Sequence, residues 1–410
     1  MPAADAVPGF GGGGSGRPVG VVGAGLIGLA VARRLAQRGA EVVVFDKEPE
    51  VAVHQSGHNS GVVHSGLYYP PGSLKAVLCR RGVGLLKEFC AEHALPYREI
   101  GKVVVAHSPE EVARLDVLQE RARANGVPRV RRLDPAALRE VEPEVRGLAA
   151  LHSPTTAIVD FRAVARALAG EVTEAGGRLV LGAEVTAIRP GPHGVTVTSG
   201  GRPYELRRAV ICAGLYSDTV ARLAGDAPSP AILAFRGEYY RLRPERAGLV
   251  RGLVYPVPDP AYPFLGVHLT PRVDGQVDIG PNAVLALARE GYRRRDVDLR
   301  DLGRALAWPG TRRLVRRHWR AGLHELHGSL SKRAFAAQAA RYVPALTPAD
   351  LLPAPAGVRA QALDSHGALV DDFTLTALGP VTALRNAPSP AATSCLAIAA
   401  HLTDHYLQHP

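Results

Sequence analysis

Gly23-Ala24-Gly25-Leu26-Ile27-Gly28 is a GxGxxG stretch that follows the apolar run 19–22 and opens a helical pattern over 26–38. That spacing suits one task, the holding of a pyrophosphate. Gly23 permits a tight turn, Gly25 lets the backbone approach the phosphates, and Gly28 lets the helix pack close to the strand. The helix N-terminus favours phosphate charge. Asp46 lies eighteen residues beyond Gly28, at the end of a strand over 41–46. There its carboxylate can accept hydrogen bonds from ribose hydroxyls. Strand, glycines, helix and acid in register indicate an adenine-dinucleotide site. A helix start that is merely glycine-rich would lack the acid.

A second chemically loaded stretch reads His54-Gln55-Ser56-Gly57-His58-Asn59-Ser60-Gly61-Val62-Val63-His64-Ser65-Gly66-Leu67-Tyr68-Tyr69 and continues through Pro71-Gly72-Ser73-Leu74-Lys75-Ala76. Three histidines and an asparagine among glycines would be odd in a loop that is only polar. Further segments are Gly101-Lys102, FRGEYY at 235–240, YPVPDP at 255–260, PFLGVHLT at 263–270, GPNA at 280–283, GVRAQ at 357–361 and NAPSPAAT at 386–393. On these residues the chain resembles the L-2-hydroxyglutarate oxidase/dehydrogenase family, within the D-amino-acid-oxidase-like FAD superfamily, over residues 18–402.

The resemblance implies FAD as the cofactor. It places His58, Asn59, Ser60, Gly61 and Val62 where the chain runs under the flavin, and Val185 against the adenine. Ala213 and Gly214 would close over the cofactor, with Leu26, Ile27 and Lys47 completing the contacts. Pro388, Ser389, Pro390 and Ala391 would face the pyrimidine end of the flavin, where a helix N-terminus stabilises negative charge on the reduced ring. Cys212 reads as a small filler rather than a redox thiol. His64 resembles a position at which some relatives attach flavin covalently; noncovalent FAD is the expectation.

The implied reaction converts a 2-hydroxy acid to a 2-oxo acid. A hydride leaves the α-carbon for flavin N5, and the hydroxyl proton goes to a base. Arg359 sits in a GxR pattern resembling the carboxylate-binding Arg of related amino-acid oxidases, and its fork suits a carboxylate. His268, ending an apolar strand, is the expected base, because imidazole titrates near neutrality. His64 and His58 are its rivals. Tyr69, Arg236, Tyr255 and Asn282 are expected as further contacts to a second carboxylate or the hydroxyl. The implied substrate is a small dicarboxylate hydroxy acid, L-2-hydroxyglutarate, and the electron acceptor is oxygen or a membrane quinone. An amino-acid oxidase or dehydrogenase of the same superfamily is the alternative, because fold does not fix function. A third reading, a flavoprotein without catalysis, would have little use for His64, His268 and Arg359 together.

These residues need elements to position them. The sequence predicts helices over 74–93, 109–125, 135–140, 161–175 and 393–408, and strands over 178–181, 184–188, 195–198 and 208–211. Short strands separated by Pro and Gly over 231–280 suggest an antiparallel sheet. Helices rich in Arg and His follow over 293–342. The fold class is therefore α/β: a Rossmann-type FAD-binding domain from residues 18–90, 150–230 and 345–410, with an α+β substrate domain carrying an antiparallel sheet from 91–149 and 231–344. Residues 1–17 read as a flexible tail, since the Gly9 to Gly16 run has no apolar core of the kind a signal peptide needs.

Composition narrows the classes. The chain has 410 residues, 46% hydrophobic and 21% charged, which is ordinary for a globular protein. The four cysteines, Cys79, Cys90, Cys212 and Cys395, form no CxxC pair, which argues against a disulfide framework or a zinc staple. The net charge of +11 carries no aromatic-interleaved basic motif, so no nucleic-acid partner is expected. A field that steers an acidic substrate or an anionic membrane surface fits better. His324-Glu325-Leu326-His327 lacks the HExxH pattern, so no metal is expected. No run approaches the length of a spanning helix. The expected location is cytoplasmic, with peripheral contact to the inner face of the membrane left open.

Overall fold

The computed structural model describes residues 16–259 and 265–407, without the side chains of Ala321 and His324. Most of the expected tail, part of the segment at 263–270 and the first histidine of the 324–327 cluster therefore lie outside the described residues.

The apolar runs near the N-terminus are short, β-branched and uninterrupted, which fits strands buried on both faces. Val19–Val22 and Val42–Phe45 are such strands, fully buried. They pair in parallel, Val19 opposite Val42, and Val19–Val22 also pairs in parallel with Arg208–Ile211. The complete six-stranded sheet runs Thr374–Leu378, Val381–Asn386, Arg208–Ile211, Val19–Val22, Val42–Phe45, Arg178–Val180. Only its edge strand Thr374–Leu378 is antiparallel to its neighbour.

Alternation along these strands divides two cores. Val21, Val44 and Val210 pack with the helices Leu26–Gln37, Phe161–Glu174 and Cys395–His405. Val22, Val43, Phe45 and Ile211 face Val185, Ile188, Val195 and Val197 of a three-stranded antiparallel sheet. Gly39, with φ of +82°, ends the first helix as its position predicts. The strand expected over 184–188 extends as Val185–Gly191, because a hairpin with Gly194–Ser199 continues its pairing. The last helix begins two residues later than expected, at Cys395.

A nine-stranded sheet forms the other half. Its order is Val284–Leu285, Ala231–Leu242, Val277–Gly280, His268–Pro271, Leu253–Pro256, Lys102–Ala106, Ala149–Ser153, Arg131–Leu133, with Leu351–Leu363 along Ala231–Leu242. It is antiparallel apart from Leu253–Pro256 against Lys102–Ala106. Two stretches expected with the cofactor segments lie in this sheet. Ala149–Ser153 pairs with Lys102–Ala106, and Leu351–Leu363 pairs with Ala231–Leu242 from Ala231↔Leu363 to Leu242↔Leu351. The expected 150–230 and 345–410 segments are thus each divided between the two sheets. The cause is long-range pairing, which local composition does not report.

Candidate active site

A cavity of about 980 Å³ opens at the carboxyl ends of Val19–Val22, Val42–Phe45 and Arg208–Ile211. This is where an open parallel sheet holds ligands. Gly23 has φ of +110°, and a Cβ there would overlap the Cys212 carbonyl. A Cβ on Gly28 would overlap the Gly23 carbonyl, so glycine lets the helix lie directly on the turn. Gly28 itself does not line the cavity; it acts through this close packing. Asp46 Oδ2 accepts from the Ala24 N–H at 2.6 Å, and Oδ1 accepts from the Glu48 N–H at 2.9 Å. Those bonds fix the carboxylate at the cavity wall beside Gly25, Leu26, Ile27, Lys47, Val185, Ala213 and Gly214. The turn and the histidine loop are tied together, since Leu26 N–H donates to Ser56 Oγ at 2.9 Å. This cradle of glycines and backbone N–H groups suits the pyrophosphate and ribose of FAD.

The loop is itself stapled. Asn59 Nδ2 donates to the Ser56 carbonyl at 2.8 Å, and Asn59 Oδ1 accepts from Gly61 N–H at 2.9 Å. His58, Asn59, Ser60, Gly61 and Val62 all line the cavity, as do Pro388, Ser389, Pro390 and Ala391. His64 joins the two walls: its N–H donates to Thr393 Oγ1 at 3.0 Å, and its Nε2 lies 3.4 Å from Ser389 Oγ. Its Nδ1 is buried and has no partner among the described residues.

The far wall comes from the nine-stranded sheet. His268, at the start of its strand, is buried, and its Nδ1 donates to the Gly266 carbonyl at 2.8 Å. That bond selects the tautomer with a free lone pair on Nε2. The ring stacks on Tyr255 with centroids 4.0 Å apart. Burial first, then Arg359 and Lys102, push its pKa down to about 3. Burial and the same cations hold His64 well below the usual imidazole range. Both imidazoles are therefore neutral at pH 7, the state in which they can accept a proton. Arg359 reaches the cavity from Leu351–Leu363 and hydrogen-bonds the half-buried Tyr239, partly opposing the upward shift that desolvation imposes on that phenol.

Two further cations stand close by. Lys102 is 1% exposed, its Nζ 4.1 Å from the centroid of the Tyr255 ring and 5.2 Å from that of Tyr68. Both rings line the cavity, so Lys102 stands one layer behind it. Burial pushes its pKa down to about 7. Lys75 donates to Asp371 Oδ1 at 2.7 Å and lies over the Tyr69 ring, 5.4 Å from the centroid. Both lysines sit in segments whose pattern is readable in sequence, but a lysine in a strand or at a helix start carries no signal that it faces inward.

The structure brings His268, His64, Arg359, Tyr69 and Tyr255 to one cavity. It corrects two expected substrate contacts. Arg236 bonds Glu238 Oε1 at 3.1 Å and the Arg293 carbonyl at 3.3 Å. Asn282 accepts from Glu238 N–H at 2.8 Å through Oδ1 and donates to Glu238 Oε2 at 3.2 Å. Neither lines the cavity. Both serve a buried network around the Glu238 carboxylate, which has to be neutralised if it is to stay charged there. His58, the other rival base, has its Nδ1 at 3.2 Å from the Ala356 carbonyl, and its ring packs on Tyr292 at 4.4 Å. Among the described residues one cluster, Glu48, His54 and Glu290, has metal-ligand geometry. The Lys47 ammonium already bridges its two carboxylates at 2.8 Å and 2.5 Å. Cys212 packs against the glycine turn, and burial pushes its thiol up to about 12, in keeping with a filler.

The titrations predict a pH dependence. The folded chain gives up the Lys102 proton near pH 7, whereas an unfolded lysine keeps it to about 10.5. Between those values the unfolded state binds more protons, so stability rises with pH. Buried His268 refuses a proton that an unfolded histidine takes up below about 6.5, so stability falls as pH drops toward 3. The holoprotein should melt several degrees higher at pH 8.5 than at pH 5.5. Lys102→Met should reduce the slope above pH 7 and raise the melting temperature at pH 6.5. An unchanged slope would show that Lys102 keeps its proton when folded.

Comparison with known proteins places this geometry among relatives. Residues 18–405 match the family model described as FAD dependent oxidoreductase. The chain is 45% identical to the mitochondrial L-2-hydroxyglutarate dehydrogenase of Nematostella vectensis, over 94% of this chain and 89% of the relative. It is 43% identical to the L-2-hydroxyglutarate dehydrogenase of Escherichia coli K12, over 93% and 91%. Among solved structures, L-α-glycerophosphate oxidase from Mycoplasma pneumoniae, with FAD bound, superposes with a TM-score of 0.77 at 23% identity, over 94% and 93% of the two chains. Glycine oxidase from Geobacillus kaustophilus gives 0.71 at 19%, over 95% and 94%. At these identities the two structures support the fold alone.

Proposed function

This chain belongs to the FAD-dependent oxidoreductase family, and on that footing we propose that it oxidises L-2-hydroxyglutarate to 2-oxoglutarate. The observation that carries the reading is that one cavity is lined by Arg359 and Lys75 together with His64 and His268, and that Lys102 stands behind its Tyr255 wall. One cation suits any α-acid; several suit a dicarboxylate. Identity above 40% to proteins named for this substrate supports the same choice.

Bound FAD supplies the hydride acceptor. The chain's own residues do the rest. The Arg359 fork grips the α-carboxylate and fixes which hydrogen faces the cofactor. His268 Nε2 takes the hydroxyl proton, its Nδ1–H held by the Gly266 carbonyl. Tyr255 and Tyr69 wall the substrate from water, and Lys102 behind Tyr255 adds positive potential for the distal carboxylate. His64, with its Nε2 near Ser389 Oγ, would help to hold the flavin ring of bound FAD. The electrons pass on to oxygen or a membrane quinone in this reading.

Anaerobic mixing is the test. L-2-hydroxyglutarate should bleach the flavin absorbance rapidly, while L-lactate and amino acids should not. If an amino acid alone bleaches it, the substrate assignment fails and the amino-acid oxidase alternative takes its place. If nothing does, the reading as a catalyst fails.

A further inference from the structure

The helices Leu299–Ala307 and Pro309–Leu330 leave an apolar surface uncovered. Val315, Trp319, Leu323, Leu326 and Leu330 are all exposed, Trp319 by 53% and Leu330 by 68%. Their spacing of four, four, three and four puts them on one stripe of the helix, despite the break at His318. Leu299, at the start of the preceding helix, is 79% exposed. The inward side of the longer helix uses other residues: Thr311 and Ser329 are buried, and Glu325 accepts from Ala283 N–H at 2.8 Å. The exposed stripe is thus additional to the face that holds the helix to the sheet.

The charge beside it is one-sided. Between residues 293 and 333, twelve Lys and Arg face four Asp and Glu, a net +8 in a chain of +11. Arg312, Arg316 and Arg320 follow one another at helical pitch beside the apolar stripe, and none of them has an acidic partner among the described residues. A helix with an apolar stripe bordered by arginines is the pattern that lies in the plane of a lipid interface. Anionic headgroups attract the basic border, and the stripe enters the acyl boundary. A second copy fits poorly, because a twofold contact would set one basic surface against its own image. Nucleic acid would use the arginines but not the leucines. No helix among the described residues is long and apolar enough to cross a membrane, so the arrangement is one of lying on the surface.

We propose that residues 299–330 form a docking surface for anionic phospholipid membranes, with Trp319 and its leucine neighbours inserted and the arginines on the headgroups. Arg304, on the first of the two helices, also lines the cofactor cavity, so docking brings that cavity's rim toward the lipid. The proposal stands on the hairpin alone and does not depend on the substrate.

The experiment uses FAD-loaded protein and vesicles of phosphatidylcholine alone or with phosphatidylglycerol. Partitioning should be at least ten-fold greater on the anionic vesicles, should fall in high salt, and should shift Trp319 emission to the blue. The other tryptophan, Trp308, donates its indole N–H to the Leu363 and Asp364 carbonyls at 3.2 Å, so Trp319→Phe should abolish the shift. The exposed double variant Leu323→Glu, Leu326→Glu should lose at least ten-fold in binding while flavin reduction by substrate in solution stays unchanged. Equal binding to both vesicle types, or no binding, overturns the proposal. So does a wild-type dimer that this double variant abolishes, which would make the stripe a contact between copies. Since vesicle binding is read without substrate, its failure leaves the L-2-hydroxyglutarate reading standing, and the reverse also holds.

Discussion

His268→Asn should slow flavin reduction by L-2-hydroxyglutarate by about 10²–10⁴-fold, the usual worth of a positioned general base. That corresponds to about 3–5 kcal/mol of transition-state stabilisation. Asparagine can keep a hydrogen bond to the Gly266 carbonyl but cannot accept the proton at the Nε2 position. Substrate affinity should therefore change little while the reduction rate collapses, as anaerobic stopped-flow absorbance would show. His64→Asn is the comparison. His64 is half-buried and its pKa is likewise held well below the usual imidazole range, but its Nε2 is near Ser389. If His64→Asn carries the large loss and His268→Asn does not, the roles are exchanged. The free enzyme should also lack an acidic limb near the usual imidazole pKa, because the folded protein keeps His268 neutral down to about pH 3.

Arg359→Ala should raise KM for the dicarboxylate by about 10²–10³-fold, the effect of removing a charge-assisted pair of hydrogen bonds to a carboxylate. Arg359→Lys should recover only part of it, since an ammonium keeps the charge but not the fork. A second readout separates a direct role from a structural one. Arg359 helps to depress the His268 pKa, so its loss should move any acidic limb of the rate profile upward. Unchanged KM and an unchanged profile would remove Arg359 from the site.

The predicted elements were largely recovered where the pattern is local. Leu74–Glu92, Pro109–Ala124 and Phe161–Glu174 lie within a residue or two of their expected ranges, and the structure shows Ser73, Ser108 and Asp160 capping their starts. Domain membership was less accessible. Nothing within residues 351–363 announces pairing with residues 231–242, because pairing is decided by partners more than a hundred residues away. The same limit explains Arg236 and Asn282. Their motif neighbours are indistinguishable in sequence from those of Arg359, and only packing shows that they turn toward Glu238.

By itself the sequence determined the cofactor cradle. Gly23, Gly25, Gly28 and Asp46 act through backbone geometry over a short span, and such geometry follows from residue type and spacing. It also carried the family likeness, and with it Arg359, His268 and His64. Tertiary structure alone decided which cations converge, that Lys102 stands behind Tyr255 with its charge marginal near pH 7, and that an apolar stripe bordered by arginines is left facing outward. The reason is physical. A side chain's pKa, and the worth of its charge, depend on burial and on neighbours brought together by the fold. Neither is written in any single stretch of chain.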